Sequence, residues 1–370
     1  ADGAAVSGAG RPRLGLAHLQ SGTVADSPAV VRNCRAALDE AESMSGRSAQ
    51  KVVIGIAGEL VKGFTTTRTV ERRRPDSSVT HSELERLLEG IEADAAAEAQ
   101  RTITWETGLP NVDVRLVHAG VAAAGIDGYA VSNPVGFQGR HLRISVFNAY
   151  APLVHLGALE SVVEQLGLEL IKVVAEPYAV ARSISGEQVG QSGALFIDVG
   201  GGTTDVALVR SGSVEGTRMF ALGGRAFTKS LADRLDLSFD AAEQVKIDYA
   251  TGREVDAASE VAACISEDVA VWAAGVELVL EEFGEEGLLP GRIELCGGGA
   301  ALPEIRAALE ADGFAGGLPF ARRPQVSMMD PATVSDISDS TGTLVNQQDV
   351  TPMALAYQAV EAAQPQEPLD

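Results

Sequence analysis

A glycine-rich turn between two apolar segments constrains the fold of this chain more than any other feature. The residues from Asp198 to Asp205 are DVGGGTTD, and an apolar run lies on each side of them. Three consecutive glycines let the backbone bend sharply and approach a phosphate without a Cβ atom in the way, so that N–H groups point at its oxygens. A glycine-rich hairpin with polar flanks is also typical of an ordinary turn. The acids and threonines around the glycines favour the phosphate-binding interpretation.

This turn supplies the first set of candidate site residues. The candidates for phosphate binding are Gly200, Gly201, Gly202, Thr203 and Thr204. Asp198 and Asp205 stand at the two ends of the turn, where a carboxylate holds Mg²⁺ through its water shell. The sequence therefore predicts a site for a phosphate and a divalent cation here.

Two further glycine clusters follow the same design. Gly297, Gly298 and Gly299 come after the apolar segment 292–296 and before a predicted helix. Gly223 and Gly224 also precede a predicted helix. A strand, a glycine turn and a helix together bring a nucleotide close to the backbone at a helix N-terminus. Such turns are common in α/β proteins, so each cluster alone is equally compatible with a purely structural turn.

Three charged residues complete the candidate site. Glu176 lies at the start of a predicted helix, directly after the apolar segment 168–174. A carboxylate there is either a first-turn acid favoured by the helix dipole or a group that orients an attacking water. Glu243 and Lys246 are three residues apart on a predicted helix, which indicates either a surface ion pair or two groups that bracket a ribose.

Length and charge limit the classes of function. A chain of 370 residues with 45% hydrophobic residues predicts two or more packed domains. The 29 basic and 51 acidic residues give a formal net charge of −22, which disfavours nucleic acid and anionic lipid as direct partners. Three widely spaced cysteines define neither a disulfide framework nor a metal site, which favours a reducing compartment. We expect a soluble, cytosolic chain, because no apolar run of about 18 residues and no signal peptide is present.

Periodicity and turn residues predict an α/β chain with an additional α+β unit. Ser27 and Pro28 open a first helix as N-cap and first-turn proline, and this helix runs to Gly46. Residues 49–150 contain strands around one long helix, whose N-cap is Thr80. From residue 151 helices and strands alternate, and a β meander covers residues 194–222. The segment 255–283 has apolar residues three and four apart, as in a long helix whose apolar face belongs to the core. The tail 364–370 is expected to be disordered.

The order of these motifs resembles that of the actin and hexokinase superfamily, and specifically the bacterial cell-division family FtsA, with the pilus-assembly family PilM as the nearest other branch. AEPYAVARS at 175–183 resembles the first connecting motif, and FIDVGGGTTD at 196–205 resembles the second phosphate motif. The remaining places are taken by ALGG at 221–224, AAEQVK at 241–246, ELCGGGAALP at 294–303 and MALAYQAV at 353–360. VVIGIAGE at 52–59 and IDGYAVSNPVGFQGRHL at 126–142 resemble the extra subdomain of FtsA, known as the SHS2 domain, and the second of these segments favours FtsA over PilM.

The resemblance implies an actin-like, ribonuclease H-like α/β fold with two lobes, an inserted α+β subdomain, and ATP with Mg²⁺ in the cleft between the lobes. It implies that Asp198 acts in the Mg²⁺ shell, with Asp205 as a second acid. It also implies that Glu176 orients the hydrolytic water, that Glu243 and Lys246 contact the ribose and adenine, and that Gly297, Gly298 and Gly299 line the adenosine. The first lobe would consist of residues 1–48 and 151–190 and of the returning helix 351–363. The inserted subdomain would be 49–150. The second lobe would consist of 191–236, 237–290 and 291–350, with 237–290 as its helical subdomain.

The resemblance further implies a slow ATPase that acts as a polymerising scaffold of cell division at the inner face of the membrane. Its partner would be the C-terminal peptide of the tubulin-like division protein, together with further copies of itself. A PilM-type scaffold that binds a peptide of a pilus inner-membrane protein is the first alternative, and a non-hydrolysing binding module is the second. The first phosphate motif and a basic membrane-binding helix have no counterpart in this sequence, so we expect membrane contact to be indirect or to depend on other segments.

Overall fold

The computed structural model describes residues 3–15, 18–20, 22–109, 112–184, 192–210, 212–285 and 287–363. The predicted tail 364–370 therefore lies outside the described residues. Within the described ranges helices and strands alternate, so the predicted α/β class is confirmed.

The strands and helices are numbered in chain order. The strands are β1 Ala4–Val6, β2 Leu19–Gln20, β3 Thr23–Val24, β4 Lys51–Ile56, β5 Lys62–Glu71, β6 Val114–Ile126, β7 Tyr129–Val131, β8 His141–Pro152, β9 Glu169–Ala175, β10 Ala194–Val199, β11 Thr204–Arg210, β12 Ser213–Phe220, β13 Arg292–Cys296, β14 Gln325–Met328 and β15 Ile337–Asp339. The helices are α1 Ser27–Ser45, α2 His81–Thr107, α3 Leu153–Leu166, α4 Glu176–Ser183, α5 Gly224–Leu235, α6 Phe239–Ala250, α7 Ala258–Glu285, α8 Pro303–Glu310, α9 Asp312–Gly316 and α10 Val350–Ala363.

A mixed sheet built around β10 organises the second half of the chain. β10 pairs antiparallel with β11, which pairs antiparallel with β12, as the predicted meander requires. On its other side β10 pairs in parallel with β13, and β13 pairs in parallel with β14. Every residue of β10 is buried, because layers of helices cover both faces of this part of the sheet. The carboxyl ends of β10 and β13 therefore point to the same edge of the sheet.

The sheet continues into the predicted α+β unit. In the described residues it has nine strands, in the order β14-β13-β10-β11-β12-β5-β8-β6-β7. β5 and β8 form a long antiparallel pair, and β8 pairs antiparallel with β6. β12 and β5 are joined through two register pairs, Gly216 with Phe64 and Thr217 with Gly63. Four strands of the predicted unit 49–150, β5 to β8, thus share one sheet with β10 to β14, which sequence patterns do not reveal.

β4 belongs to a different pairing from the rest of the predicted unit. It pairs in parallel with β9, over the register from Lys51 with Glu169 to Ile56 with Ala175. The ends of β4 and β9 both lead to the edge where β10 and β13 end, and Glu176 follows β9 directly. The parallel pair is thus the second wall of the region described below.

The long helix α7 packs on the central sheet. Its buried residues include Val261, Ile265, Val269, Trp272 and Val276, which contact the apolar side chains of β10, β11 and β13. The predicted core face is therefore confirmed for most of the helix. The predicted start is wrong, because Val255 precedes the helix and Ala258, its first residue, is exposed.

The first helix begins one residue earlier than predicted. Its N-cap is Asp26, whose carboxylate accepts a hydrogen bond of 3.0 Å from the backbone N–H of Ala29. Ser27, the predicted N-cap, is the first helical residue, and its buried hydroxyl has no partner among the described residues. Aspartate and serine are nearly equal as N-caps, so sequence alone does not choose between adjacent candidates. Gly46 ends the helix in the left-handed conformation, as predicted.

Candidate functional site

A cleft of about 480 Å³ lies at the edge where β4, β9, β10 and β13 end. Its walls come from the turn after β10, the loop after β13, and the N-terminal residues of α4, α5 and α10. The cleft brings together nine of the predicted site residues: Glu176, Asp198, Gly200, Gly201, Gly202, Thr203, Asp205, Gly297 and Gly298. The other predicted residues do not line the cleft; they are Thr204, Gly223, Gly224, Glu243, Lys246 and Gly299.

The glycine turn forms one wall. The backbone N–H of Gly200 donates to the carbonyl of Thr203 at 2.9 Å, which closes the turn. A Cβ atom on Gly201 would come no nearer than 3.6 Å to any group outside its own neighbours. The turn therefore presents a backbone without Cβ atoms to the cleft, as a phosphate-binding loop requires, and the Arg225 side chain is the nearest group to the Cβ positions of Gly201 and Gly202.

Gly223 and Gly224 support the glycine turn from behind. The N–H of Gly224 donates to the carbonyl of Gly200 at 2.9 Å. A Cβ atom on Gly223 would lie 2.6 Å from that same carbonyl oxygen, so only glycine permits this approach. The second turn thus holds the first one in place.

Three carboxyl groups line the cleft, those of Glu176, Asp198 and Asp205. Asp198 and Asp205 are cross-strand partners on β10 and β11. Asp198 accepts a hydrogen bond from the Thr351 hydroxyl, and Asp205 Oδ2 accepts one from Thr203 Oγ1 at 3.0 Å. The buried Asp205 Oδ1 has no partner among the described residues. A buried carboxylate oxygen without a partner is costly, and it is a natural ligand for a cation or its water.

Burial raises the pKa of all three acids. Burial, with the Asp198 charge as second cause, raises the pKa of Glu176 to about 7. Burial and then the charges of Glu176 and Asp198 raise the pKa of Asp205 well above its ordinary value. Burial also raises the pKa of Asp198, against hydrogen bonds from Thr351 and Cys296 that stabilise its charged form. Groups that share a site and repel one another in this way are suited to a bound cation.

The loop after β13 forms the opposite wall. Gly297 has a φ of +86°, and a Cβ atom there would lie 2.1 Å from Asp198 Oδ1 and 2.5 Å from the carbonyl oxygen of Val199. Gly298 has room for a Cβ atom, because its nearest outside atom, Gln348 Oε1, would be 3.7 Å away. Gly299 packs against Val199, which fixes the loop to β10.

Glu243 and Lys246 form a buried polar cluster beside the cleft. Lys246 Nζ donates to the carbonyl of Gly224 at 2.8 Å, to Thr228 Oγ1 at 2.7 Å and to Glu243 Oε2 at 2.8 Å. The Thr228 hydroxyl also donates to Glu243 Oε2. Burial lowers the pKa of Lys246, while the Glu243 carboxylate opposes this shift. The predicted ion pair is present, and the donors of the lysine serve to fix α6 against the start of α5.

Thr204 has a role in the core. Its hydroxyl donates to the carbonyl of Leu222 at 2.7 Å and accepts from Trp272 Nε1 at 2.9 Å. The residue is fully buried. Thr204 therefore joins β11 to α7 in this structure, and we leave it out of the phosphate-binding set proposed below.

The prediction missed two polar contacts of the cleft. Thr351 holds Asp198, and Arg225 lies over the glycine turn. Arg225 follows the Gly223–Gly224 pair directly, so its place beside a loop was readable from the sequence, but the direction of its side chain was not. Thr351 is far from the glycine turns in sequence, and only the packing of α10 brings it there.

The residues present fit a nucleotide with a metal ion. The glycine turn, without Cβ atoms, suits a phosphate, and the free Asp205 Oδ1 can coordinate a metal ion or accept a hydrogen bond from a water. Among the described residues there is no group of three or more His, Cys, Asp or Glu arranged to hold a metal alone. Mg²⁺ in phosphate sites uses one or two carboxylates, with phosphate and water as its other ligands, so this arrangement agrees with it.

Sequence comparison relates the chain to cell-division proteins. The family model described as "Cell division protein FtsA" matches residues 195–340. FtsA of Neisseria meningitidis serogroup B is 27% identical over 231 residues, which cover 62% of this chain and 52% of that protein. FtsA of Bacillus subtilis is 24% identical over 346 residues, which cover 86% of this chain and 74% of that protein. The chain is thus similar in sequence to FtsA proteins over these ranges. It spans about half the length of the Neisseria protein it matches.

Structural comparison confirms the predicted fold of this chain. The solved "PilM-PilN type IV pilus biogenesis complex" contains a chain that superposes with a TM-score of 0.67 at 18% identity. The superposition covers 95% of this chain and 90% of that one. At this identity the match concerns the fold alone, which is the predicted actin-like α/β fold. Among the described helices, none is both long and apolar enough to cross a membrane.

Proposed function

We propose that this chain binds ATP with Mg²⁺ in the cleft. The observation that carries the proposal is the free, buried Asp205 Oδ1 beside the open turn of Gly200, Gly201 and Gly202. The backbone N–H groups of Gly201 and Gly202 bind phosphate oxygens, and the Thr203 hydroxyl, now bonded to Asp205, adds a polar group at the end of the turn. A bound Mg²⁺ supplies the positive charge that lets phosphates and carboxylates share one site. Asp198 is the proposed acid of the metal shell, and Asp205 the second.

The adenosine is proposed to lie between the loop after β13 and the Glu243–Lys246 cluster. Gly297 and Gly298 give it a flat wall, and Gly299 anchors that wall. The described hydrogen bonds of Glu243 all use Oε2, so Oε1 is the atom we expect to bind the ribose hydroxyls. Lys246 then positions Glu243, and the resemblance to FtsA adds a contact of Lys246 with the adenine.

Glu176 is the proposed residue that orients the attacking water. It starts α4 at the floor of the cleft, and its pKa of about 7 allows it to accept a proton near neutral pH. Hydrolysis that depends on positioning and one carboxylate is expected to be slow. A chain that binds ATP without hydrolysing it is the alternative at this position.

The proposed biological role is that of a scaffold in bacterial cell division, in which bound nucleotide biases the closure of two lobes and so the contacts with partners. The predicted lobe and subdomain limits are part of this proposal. The proposed partners are the C-terminal peptide of the tubulin-like division protein and further copies of this chain, at the cytoplasmic face of the membrane. The relationship to FtsA favours this role. The likeness in fold to the chain of the PilM–PilN complex supports a pilus scaffold as the second candidate.

Equilibrium titration with labelled ATP and Mg²⁺ tests the central proposal. The chain should bind ATP saturably, and Gly201→Asp should not, because its carboxylate occupies the cradle and repels phosphate. Gly157→Asp is the matched control, since it adds the same charge at an exposed glycine of α3 with open space around it. Absence of saturable binding by the parent chain would refute the proposal, and so would equal binding by Gly201→Asp.

Two further measurements test the biological role. Sedimentation with and without ATP should show a larger particle in the presence of nucleotide, and an unchanged particle size would contradict the polymerising scaffold. Pull-down with the C-terminal peptide of the tubulin-like division protein, against a scrambled peptide, should retain the chain. Retention by a pilus inner-membrane peptide alone would replace the first role with the second.

A further inference from the structure

Arg225 stands out among the charged residues of the cleft. It is a partly buried residue in the first turn of α5, and its backbone N–H donates to the carbonyl of Gly201 at 2.8 Å. Its guanidinium covers the glycine turn, because a Cβ atom on Gly201 would lie 3.6 Å from Nε and one on Gly202 would lie 3.9 Å from Nη1. The side chain is therefore positioned beside the proposed phosphate cradle.

The N–H donors of the Arg225 guanidinium have no partner among the described residues. This is so although the same cleft is lined by Glu176, Asp198 and Asp205. Lys246, the other cation nearby, has all three of its donors bound by Gly224, Thr228 and Glu243. Arg225 is also the one basic residue among the described residues that line the cleft. A planar guanidinium with five N–H donors suits a phosphate group better than any other side chain.

We propose that Arg225 binds the phosphate chain of the nucleotide and makes affinity depend on the number of phosphates. This inference rests on the proposed nucleotide binding and deepens it. Three carboxyl groups already stand in the cleft, so a polyphosphate adds negative charge to a site that is rich in it. Arg225 offsets that charge from the side of the glycine turn, while the acids face the metal. Adenosine carries no phosphate and gains nothing from this residue.

Binding of ATP, ADP, AMP and adenosine to Arg225→Gln tests the inference. The variant should lose about 10- to 100-fold in affinity for ATP, as expected for charge-assisted hydrogen bonds, and less than about 2-fold for adenosine. Arg225→Lys should recover part of the ATP affinity, because it restores the charge without the planar donors. Raising the salt concentration should weaken ATP binding by the parent chain more than by Arg225→Gln.

Lys229→Gln is the matched control. Lys229 is exposed on the same helix, four residues further on, so its variant loses the same charge without touching the glycine turn. It should bind all four ligands like the parent, and thermal unfolding should show that both variants remain folded. If the parent binds ATP and Arg225→Gln binds it equally well, the role of Arg225 is refuted and ATP binding stands. If the parent binds no nucleotide at all, the proposed function fails, and the inference fails with it.

Discussion

Replacing Gly297 by alanine should destabilise the chain strongly, whereas the same change at Gly298 should not. At Gly297 the φ of +86° costs an L-residue about 1 to 2 kcal/mol. The added methyl would also lie 2.1 Å from Asp198 Oδ1 and 2.5 Å from the carbonyl oxygen of Val199. The first atom can move with its side chain, but the second belongs to the buried strand β10. Displacing this carbonyl costs about 1 to 3 kcal/mol more through overpacking, so we expect the free energy of unfolding to fall by about 2 to 5 kcal/mol in total.

Gly298→Ala is the control, because it adds the same methyl one residue later. The φ of Gly298 is −67°, and the nearest outside atom is 3.7 Å from the ideal Cβ position. We expect its free energy of unfolding to stay within about 0.5 kcal/mol of the parent value. Urea unfolding of the two variants and the parent, followed by tryptophan fluorescence, measures both differences under one set of conditions.

The two variants should also differ in how they affect ATP binding. Gly297→Ala should lose ATP affinity together with stability, because the displaced Asp198 no longer faces the metal site. Gly298→Ala places a methyl in the cleft of an intact protein, so it should weaken ATP binding while its unfolding midpoint stays the same. Equal unfolding midpoints for the two variants would refute the steric reasoning.

Three other predictions follow from buried polar groups. Below pH 4.5 Glu176 is protonated in both folded and unfolded chains, and above about pH 7 it is ionised in both, so the nucleotide-free protein should lose about 3 kcal/mol as pH rises through this window. Glu176→Gln should make the urea midpoint less dependent on pH between pH 5 and 8, with a remaining dependence from Asp198 and Asp205, and a pH profile parallel to that of the parent would contradict the assignment. Thr204→Val and Trp272→Phe should each lower the free energy of unfolding by about 1 to 3 kcal/mol, and a double-mutant cycle should give a coupling energy of about 1 kcal/mol. Additive effects of the two substitutions would contradict this hydrogen bond. Arg72→Met should lower the free energy of unfolding by about 3 kcal/mol, measured by thermal unfolding, because the buried guanidinium pairs with Glu83. A decrease below about 1 kcal/mol would show that the pair is dispensable.

The strands of residues 194–222 could be predicted because short-range sequence patterns mark them. The apolar segments that became β10, β11 and β12 are bounded by glycine and serine, and each pairs with its neighbour in sequence. The glycine turn between β10 and β11 lines the cleft, and its role in binding phosphate stays a prediction.

Long-range contacts were beyond the sequence. The pairing of β4 with β9 spans more than a hundred residues, and an apolar run shows that a strand is buried without showing its partner. The roles of individual hydroxyls were equally hidden. Thr203 and Thr204 are adjacent and chemically identical, yet Thr203 lies in the turn and lines the cleft, whereas Thr204 is the first residue of β11 and bonds to Trp272. A spacing of three residues predicted the contact of Glu243 with Lys246 but not the third member, Thr228, which comes from another helix.

The joint between β12 and β5 has few backbone links, with register pairs only at residues 63–64 and 216–217. One apolar cluster nevertheless crosses it, because Phe147 and Ala149 of β8 share a core with Phe196 of β10. We therefore expect the two sides to open together, so amide protons of β8 and of β10 should exchange with solvent at similar rates as denaturant is added. Gly63 lies at the joint, where a Cβ atom would meet Thr217 Oγ1 at 2.1 Å, so a larger residue there should destabilise both sides at once.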